Sequence, residues 1–138
     1  MSKQFTLGKD ERLKSRKLIE QLFSKGQRMA LFPYRVFYLF EKNEDKHVKH
    51  RLQCGVGAGT RNFKKAVDRN RIKRVTREAW RLQKKDLDLK MKDHTHCLSV
   101  FLIYTGKELP VFTVVKEKIA LILQKLITIA DENTAAGT

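Results

Sequence analysis

One stretch of this chain, residues 61–81 (RNFKKAVDRNRIKRVTREAWR), constrains the fold more than any other. Read as a helix from about Ala66, with about 100° of rotation per residue, it sorts its side chains onto two faces. Apolar side chains share one arc: Ile72, Val75, Ala79 and Leu82. Basic and polar side chains share a second arc without an acid: Arg69, Asn70, Lys73, Arg74, Arg77 and Arg81. The pattern predicts a helix that packs one face on a core and concentrates positive charge on the other.

The basic arc favours a nucleic-acid interface over an ordinary solvated surface. A solvated helix normally intersperses both signs of charge as i,i+4 pairs, and this arc does not. Cations packed this closely repel one another unless a polyanion neutralises them. Arginine outnumbers lysine here, and the planar guanidinium suits bidentate contacts with phosphates and base edges.

The charge of the whole chain is uneven in the same way. The 138 residues contain 30 Lys and Arg against 15 Asp and Glu, a formal net charge of +15. Residues 61–92 alone contain 13 basic and four acidic residues, and therefore +9 of that charge. Such a field speeds encounter with an anionic partner and makes binding depend steeply on salt. The length predicts one domain over residues 1–138, ordered over about 10–130.

The compartment is predicted to be the cytoplasm. No apolar run approaches the roughly 18 residues of a membrane span, and the N-terminal residues are too polar for a secretory signal. Cys54 and Cys97 lie in apolar, strand-like stretches, which is typical of buried free thiols in a reducing compartment.

The remaining patterns predict the order α-β-β-β-α-β-α in one α+β sandwich. Pro33 should separate a short edge piece from a longer strand. The predicted helices and strands are Asp10–Lys25, Tyr34–Phe40, Arg51–Thr60, Cys97–Tyr104 (central) and Phe112 to about Ala130. The predicted irregular segments are a hairpin loop at Lys42–His50, a charged tail or loop at Gln83–Asp93, and a frayed end at Asp131–Thr138.

The strand Tyr34–Phe40 carries a mixed face. Alternation places Arg35 and Phe37 on the same side, a cation beside an aromatic ring. Two interpretations remain open from the pattern alone. The face is either a partly covered side of a sheet or a stacking platform for unpaired bases.

Motifs for independent catalysis are missing. The chain has no GxSxG, HExxH or Walker loop, and its 15 acids are scattered. The glycines at 55, 57 and 59 have the wrong spacing for a dinucleotide site. Six residues could gather as metal ligands, but without the CxxC spacing of a strong zinc site: His47, His50, Cys54, His94, His96 and Cys97. We therefore expect no catalytic residue and no metal held by the protein alone, which disfavours a self-sufficient nuclease.

Ala66–Glu78 (AVDRNRIKRVTRE) closely resembles the RNR signature of the bacterial ribonuclease P protein component. RLK at 12–14 and LFSKG at 22–26 match the same family, and FKKAVDRNRIKR with IYTGKELP is similar to its Bacteroidetes branch. The resemblance covers roughly residues 10–130. It implies a two-layer αβββαβα sandwich like domain 2 of ribosomal protein S5, with a left-handed βαβ crossover that opposes the usual rule.

The resemblance also implies a division of labour. An RNA subunit, with Mg²⁺ bound mainly by that RNA, would cleave the 5′ leader from precursor tRNA. The protein would be a non-catalytic subunit of this ribonucleoprotein endoribonuclease, binding the RNA subunit and gripping the single-stranded leader. It would require neither a protein partner nor a membrane. The alternative is a general or ribosome-associated RNA-binding protein without a role in cleavage.

Site residues follow from the family by position. The RNR helix would face RNA through Arg69, Asn70, Arg71, Lys73, Arg74 and Arg77. The leader cleft would contain Ile19, Phe23, Arg35 and Phe37, with Ile19 standing where relatives often have an aromatic residue. Additional basic contacts would come from Arg61, Lys64, Lys65 and Arg81. One departure is Gly57–Thr60, where the family usually has SVPK or SVSKK, so that a common lysine is absent at Thr60.

Overall fold

The computed structural model describes residues 12–13, 16–43, 51–92 and 94–136. Its helices and strands, in chain order, are α1 (Arg16–Lys25), β1 (Gln27–Leu31), β2 (Tyr34–Lys42), β3 (Leu52–Ala58), α2 (Ala66–Gln83), α3 (Lys85–Lys92), β4 (His96–Tyr104) and α4 (Phe112–Ala136). The break between β1 and β2 falls at Pro33, as predicted.

The four strands form one mixed sheet in the order β1-β2-β4-β3. β2 pairs antiparallel with β1 and with β4, whereas β3 pairs parallel with β4. Parallel neighbours need a crossover connection, which α2 and α3 supply. β4 is therefore central, which confirms that prediction and the α+β class. The left hand of the crossover stays a prediction.

The predicted hairpin across Lys42–His50 is wrong in its pairing. β2 and β3 are consecutive in the chain, but β4 lies between them in the sheet. A polar segment between two strands looks the same whether the strands pair or are separated by a third. Residues 44–50 themselves lie outside the described residues.

The main core lies between the sheet and the layer of α2 and α4. Successive strand side chains point to opposite faces, so the even-numbered residues of β2 and β4 enter this core. Its largest fully buried side chains include Trp80 and Tyr34. The Tyr34 hydroxyl lies 2.7 Å from Oγ1 of Thr76, which satisfies both buried groups. Each fully buried apolar side chain stabilises the fold by about 1.5–3 kcal/mol.

The opposite face of the sheet is only partly covered, by α1. Leu22 of α1 is fully buried there beside Leu13 and Phe37. Phe101 of β4 spreads over the glycines of β3. A Cβ on Gly55 would lie 2.6 Å from the Phe101 ring, and one on Gly57 would lie 3.0 Å from it. These glycines thus admit an aromatic side chain against an edge strand, as when an aromatic ring covers the backbone that a glycine exposes.

The first helix begins later than predicted. Helical structure starts at Arg16, and Arg12 instead forms a parallel bridge with Cys54. The backbone N–H of Leu13 donates to the carbonyl of Cys54 at 3.0 Å. The edge of β3 therefore captures this segment as an extended chain. The rest of the predicted helical start, residues 10–11 and 14–15, lies outside the described residues.

The prediction of a charged tail or loop at Gln83–Asp93 is wrong, because the helix α3 occupies most of this segment. Leu87 and Met91, four residues apart, are both fully buried, so that one side of this charged helix belongs to the core. Lys84 is 3% exposed, and its Nζ reaches Oδ2 of Asp88 at 3.1 Å. The many charged residues of this segment obscured the helical spacing of its two buried apolar residues.

The last helix extends beyond its predicted end at about Ala130, because α4 continues to Ala136. Fraying of the C-terminal residues stays a prediction. Ala130 is fully buried, and its carbonyl lies 3.0 Å from Nε2 of His94. Lys90 of α3 pairs with Asp131 of α4. Contacts with α3 and with His94, just before β4, therefore hold α4 in place at Ala130 and Asp131.

Candidate nucleic-acid interface

Helix α2 begins at Ala66, as predicted, but its buried face is rotated from the predicted one. Ile72 and Ala79 are fully buried, and so, within 1%, are Thr76 and Trp80. Leu82, which was predicted to share that face, is only half-buried. The indole of Trp80 has enough apolar surface to draw the helix toward the basic arc. Arg69 and Lys73 consequently lie at the edge of the core and are half-buried.

The exposed part of α2 presents cations to solvent. Asn70, Arg71 and Arg74 are exposed, with Lys73 and Arg77 half-buried beside them. We call these five residues the α2 surface. Arg71 entered the predicted set only by resemblance, and it lies on the outer side of the same helix. The structure thus brings together five of the six residues predicted for the RNR helix.

Arg69, the sixth, has a different role. Its Nη1 donates to the carbonyl of Phe63 at 2.8 Å and to that of Lys64 at 2.7 Å. These bonds tie the loop before α2 to the first turn of the helix. Arg69 is therefore a positioning residue that holds the exposed Lys64 and Lys65 beside the α2 surface.

Arg81 differs from the other cations of the arc because it has an acidic partner. Its Nε donates to Oε2 of Glu78 at 3.1 Å, and its Nη2 contacts the other carboxylate oxygen. The hydrogen bond from Arg81 lowers the pKa of Glu78. The acid-free part of the basic arc therefore ends at Arg77.

Arg77 has a second arginine as its neighbour. Arg12, brought to the edge of β3 by its bridge with Cys54, is exposed, whereas Arg77 is half-buried. Burial first, and then the positive charge of Arg12, lower the pKa of Arg77. No hydrogen bond or ion pair joins either guanidinium to another residue within the described ranges. An anion at this edge would relieve the repulsion, so Arg12 extends the α2 surface, although the sequence analysis did not assign it there.

The predicted leader residues meet at the partly covered face of the sheet. The Phe23 and Phe37 rings have centroids 4.8 Å apart, and Phe23 and Phe101 lie 5.4 Å apart, both edge to face. Ile19 packs against the same cluster. The Cζ of Arg28 lies 5.6 Å from the centroid of Phe37, close enough for a cation–π contact.

The rings of this cluster differ in what they offer to a ligand. Phe37 is 7% exposed, whereas Phe23 is 36% exposed. Phe37 therefore fits the interpretation of a partly covered sheet face, whereas Phe23 provides the accessible aromatic surface. Arg28 and Arg35 are exposed on the same side of the sheet as Phe37. We call these features together the aromatic cleft: Phe23, Phe37, Phe101, Arg28 and Arg35.

Two members of the aromatic cleft, Arg28 and Phe101, escaped the sequence analysis. Arg28 pairs with Phe37 across β1 and β2, and Phe101 pairs with Phe37 across β2 and β4. Both are placed by strand register, which the chain order alone does not reveal. The signal that could have found Phe101 is the pair Gly55 and Gly57, whose missing side chains leave room for a ring on a neighbouring strand.

The loop before α2 is fixed against the end of β4. Nδ2 of Asn62 lies 3.4 Å from the carbonyl oxygens of Thr105 and of Gly106, and the buried Phe63 packs 6.0 Å from the ring of Tyr104. Arg61, Lys64 and Lys65 are exposed on this loop. In the segment Gly57–Thr60, which differs from the family pattern, the Phe101 ring leaves little room for a side chain at Gly57. Thr60 is exposed without a charge, so the three loop cations are the local positive groups.

The predicted metal candidates do not gather as ligands in the described part of the chain. Nδ1 of His94 accepts the backbone N–H of His96 at 3.0 Å while its Nε2 faces Ala130. Within residues 12–13, 16–43, 51–92 and 94–136, no three His, Cys, Asp or Glu residues form a metal-binding group. His47 and His50 lie outside these residues. Cys54 is buried, Cys97 is half-buried, and both are free thiols.

None of the described helices combines the length and apolarity needed to cross a bilayer.

Comparisons with known proteins agree on one family. The model of the Ribonuclease P family matches residues 7–126. The ribonuclease P protein component of Porphyromonas gingivalis is 32% identical over 112 residues, which cover 81% of this chain and 80% of the relative. That of Coxiella burnetii is 37% identical over 87 residues, 63% of this chain and 65% of the relative.

Solved structures agree with the fold. The ribonuclease P protein of Thermotoga maritima superposes with a TM-score of 0.59 at 25% identity, covering 83% of this chain and 96% of that one. That of Staphylococcus aureus superposes with a TM-score of 0.61 at 19% identity, covering 84% and 94%. The family match, the RNR helix and the shared architecture lead to one conclusion: this chain belongs to the ribonuclease P protein family, as the protein component of a tRNA-processing ribonucleoprotein.

Proposed function

We propose that this chain helps a catalytic RNA remove the 5′ leader of precursor tRNA by holding two RNA segments at once. The α2 surface binds the RNA subunit, and the aromatic cleft holds the unpaired leader. The observation that carries this proposal is their placement, since α2 packs on one face of the sheet and the aromatic cleft lies on the other. One small protein can therefore contact both RNAs without either RNA covering the other site.

The α2 surface suits structured RNA because the helix that carries its cations is held in one orientation. Burial of Ile72 and Trp80 sets the rotation of the helix, and Arg69 anchors its first turn. The helix backbone therefore does not have to be ordered when the guanidinium groups bind phosphates, and only the side chains lose freedom. Each phosphate that they neutralise releases counterions and adds roughly 0.7–0.9 to the salt exponent of binding.

The aromatic cleft suits an unpaired strand of variable sequence. Every base has a π-face that can stack on an exposed ring such as Phe23, and Arg28 and Arg35 can contact the backbone. This mode of binding tolerates sequence differences, as the varied leaders of precursor tRNAs require.

The chemistry of cleavage is assigned to the RNA subunit. Mg²⁺ prefers several oxygen ligands, and the described acids form no metal-binding cluster. Glu78, Asp88 and Asp131 each pair with a cation instead. The acids of the described residues therefore do not fit a Mg²⁺ ion held by the protein alone, and we propose that the RNA holds it. The protein neutralises phosphates, so that the RNA subunit and the precursor approach each other at lower Mg²⁺ concentration.

A cleavage assay at low Mg²⁺ and moderate salt tests this function. It compares the protein alone, a bacterial ribonuclease P RNA alone, and the two together on precursor tRNA. We expect cleavage only, or far faster, when both are present. Cleavage by the protein alone would reveal an active site in the chain. No acceleration with the cognate RNA would leave a general RNA-binding protein as the better description.

A further inference from the structure

Phe32 is the most exposed large apolar side chain in the described part of the protein, at 75%. It lies with the buried Pro33 in the turn between β1 and β2. Single exposed apolar side chains are ordinary on protein surfaces, so exposure alone assigns no role to it. Two further features point to a role: hydrogen bonds hold the backbone of the turn, and the turn adjoins the aromatic cleft.

The turn that carries Phe32 is held by two hydrogen bonds from Thr105. The carbonyl of Pro33 accepts the backbone N–H of Thr105 at 2.7 Å and the Thr105 hydroxyl at 3.0 Å. Asn62, in the loop before α2, in turn donates to the carbonyl of Thr105. An aromatic residue on such a turn is already positioned, so a ligand that stacks on it does not have to order the backbone.

Phe32 also continues the aromatic cleft along the sheet. Arg28 pairs with Phe37, Ala30 pairs with Arg35, and Leu31 pairs with Tyr34, after which the turn follows. At about 3.3 Å per residue, the turn lies about 15 Å from Phe37 along β2. The exposed Arg28 lies beside Phe37, and the exposed Arg35 lies between Phe37 and the turn. The order along the sheet is therefore an aromatic cluster with a cation beside it, a second cation, and an exposed aromatic ring.

We propose that Phe32 is a stacking residue for an unpaired nucleotide of the 5′ leader, at the outer end of the aromatic cleft. This inference rests on the proposed function. Aromatic rings interleaved with cations are the composition of surfaces that bind single-stranded nucleic acid, with bases on the rings and phosphates at the cations. Arg35, between Phe32 and Phe37, and Arg28, beside Phe37, match a polyanion. An apolar protein partner would instead recognise the size of the side chain rather than its π-face.

The test separates stacking from apolar contact with two substitutions, Phe32→Leu and Phe32→Trp. Binding affinity is measured for holoenzyme assembled with each variant, on precursor tRNAs with leaders of increasing length and on mature tRNA without a leader. We expect Phe32→Leu to weaken binding about five- to a hundredfold for long leaders only, and Phe32→Trp to retain it. Val111→Ala is the matched control, because Val111 is 62% exposed and follows the loop at the same end of the sheet. We expect this control to bind like wild type.

Three outcomes would overturn the inference. The first is wild-type binding by Phe32→Leu while the wild-type holoenzyme still prefers long leaders, a result that leaves the proposed function intact. The second is an equal loss for mature tRNA, which would place Phe32 against another RNA segment. The third is a loss with Phe32→Trp as large as with Phe32→Leu. Absence of any leader preference in the wild-type holoenzyme would instead overturn the proposed function, and this inference with it.

Discussion

The α2 surface and the aromatic cleft use opposite constructions. On α2, large side chains such as Trp80 are buried beneath the helix and the charges stand outside. In the cleft, Phe37 and Phe101 make a partly buried aromatic floor from two strands, and cations stand at its rim. Charge and its spacing therefore dominate the first surface, whereas ring packing and strand register dominate the second. RNA binding by the α2 surface should therefore depend more strongly on salt than binding by the aromatic cleft. Substitutions that change shape without changing charge should instead affect the cleft more.

The largest expected effect is the removal of exposed charge from α2. Replacing Arg71 and Arg74 together by Gln should weaken RNA-subunit binding by about 100-fold or more, at about 1.5–3 kcal/mol per lost charged contact. It should also lower the salt exponent, because fewer counterions are released. Filter binding over a range of salt concentrations measures both quantities.

The same variant should unfold at the wild-type urea concentration, because both side chains are exposed. Equal loss of affinity at all salt concentrations would mean that the contacts are not with phosphates. A lower urea midpoint would mean that these arginines support the fold.

The second effect should damage the cleft while sparing α2. In Gly55→Ala the new Cβ would meet the Phe101 ring at 2.6 Å and the carbonyl oxygen of Leu13 at 3.1 Å. We expect a loss of about 1–3 kcal/mol in the free energy of unfolding and weaker binding of precursor tRNA. Urea unfolding and competition between precursor and mature tRNA measure the two.

Gly59→Ala is the matched control for Gly55, since a Cβ there meets nothing within 4 Å. We expect its unfolding free energy to stay within about 0.5 kcal/mol of wild type. If Gly55→Ala proved as stable as Gly59→Ala, the structure of the aromatic cleft would not depend on close packing of Phe101 against Gly55.

The third effect distinguishes two arginines of the same helix. Arg69→Met removes the two hydrogen bonds to the carbonyls of Phe63 and Lys64 and should lower stability by about 1–2 kcal/mol. Arg74→Met removes an equal charge from an exposed position and should leave stability unchanged while weakening RNA binding. Thermal unfolding of both variants at one salt concentration decides the matter. Equal midpoints would contradict the positioning role of Arg69.

The smallest effect on affinity should come from the accessible ring of the cleft. Phe23→Leu keeps an apolar side chain but loses the stacking surface, so precursor tRNA should bind more weakly by about 1 kcal/mol, with mature tRNA unaffected. The loss should depend little on salt, in contrast to the α2 variants. A loss that vanished at high salt would show that Phe23 acts through neighbouring charges.

The pH dependence of stability at alkaline pH should report on Tyr34, in the core beneath α2, rather than on the exposed cations of the helix. Burial raises the pKa of Tyr34 from 10 to about 12. The folded state thus holds this proton more tightly, so the associated stability is complete below pH 10 and declines as pH rises toward 12. Tyr34→Phe should remove this part of the alkaline decline in urea midpoint. An unchanged decline would assign it to other groups.

Local patterns predicted the parts of the molecule whose causes are local. Helix α2 was predictable because Ile72 and Ala79 recur at helical spacing, and β4 because most of its residues are apolar. The pairing of β2 with β4 was not, since it depends on which strand arrives between two others. Helix α3 was missed because its three apolar residues, Leu87, Leu89 and Met91, alternate with charges. Tertiary packing buries Leu87 and Met91 and leaves Leu89 exposed.

The candidate site divides in the same way. Helical spacing predicts the basic arc of α2, and four of its members lie together on the outer side of the helix in the structure: Asn70, Lys73, Arg74 and Arg77. Arg71 entered the predicted set only through the family resemblance. RNA binding by this surface stays a prediction. Arg69 lies on the same arc, yet its carbonyl partners come from a loop whose path the spacing does not determine. Arg28 and Phe101 join Phe37 only through strand register, so they became visible with the sheet.

Photo-crosslinking in the assembled holoenzyme tests the central claim, that two faces of one small sheet hold two different RNA segments. A photoreactive side chain is placed at position 74 in one variant and at position 23 in another, each bound to precursor tRNA. We predict that position 74 labels the RNA subunit and that position 23 labels the 5′ leader. Labelling of the same RNA segment from both positions would contradict the account.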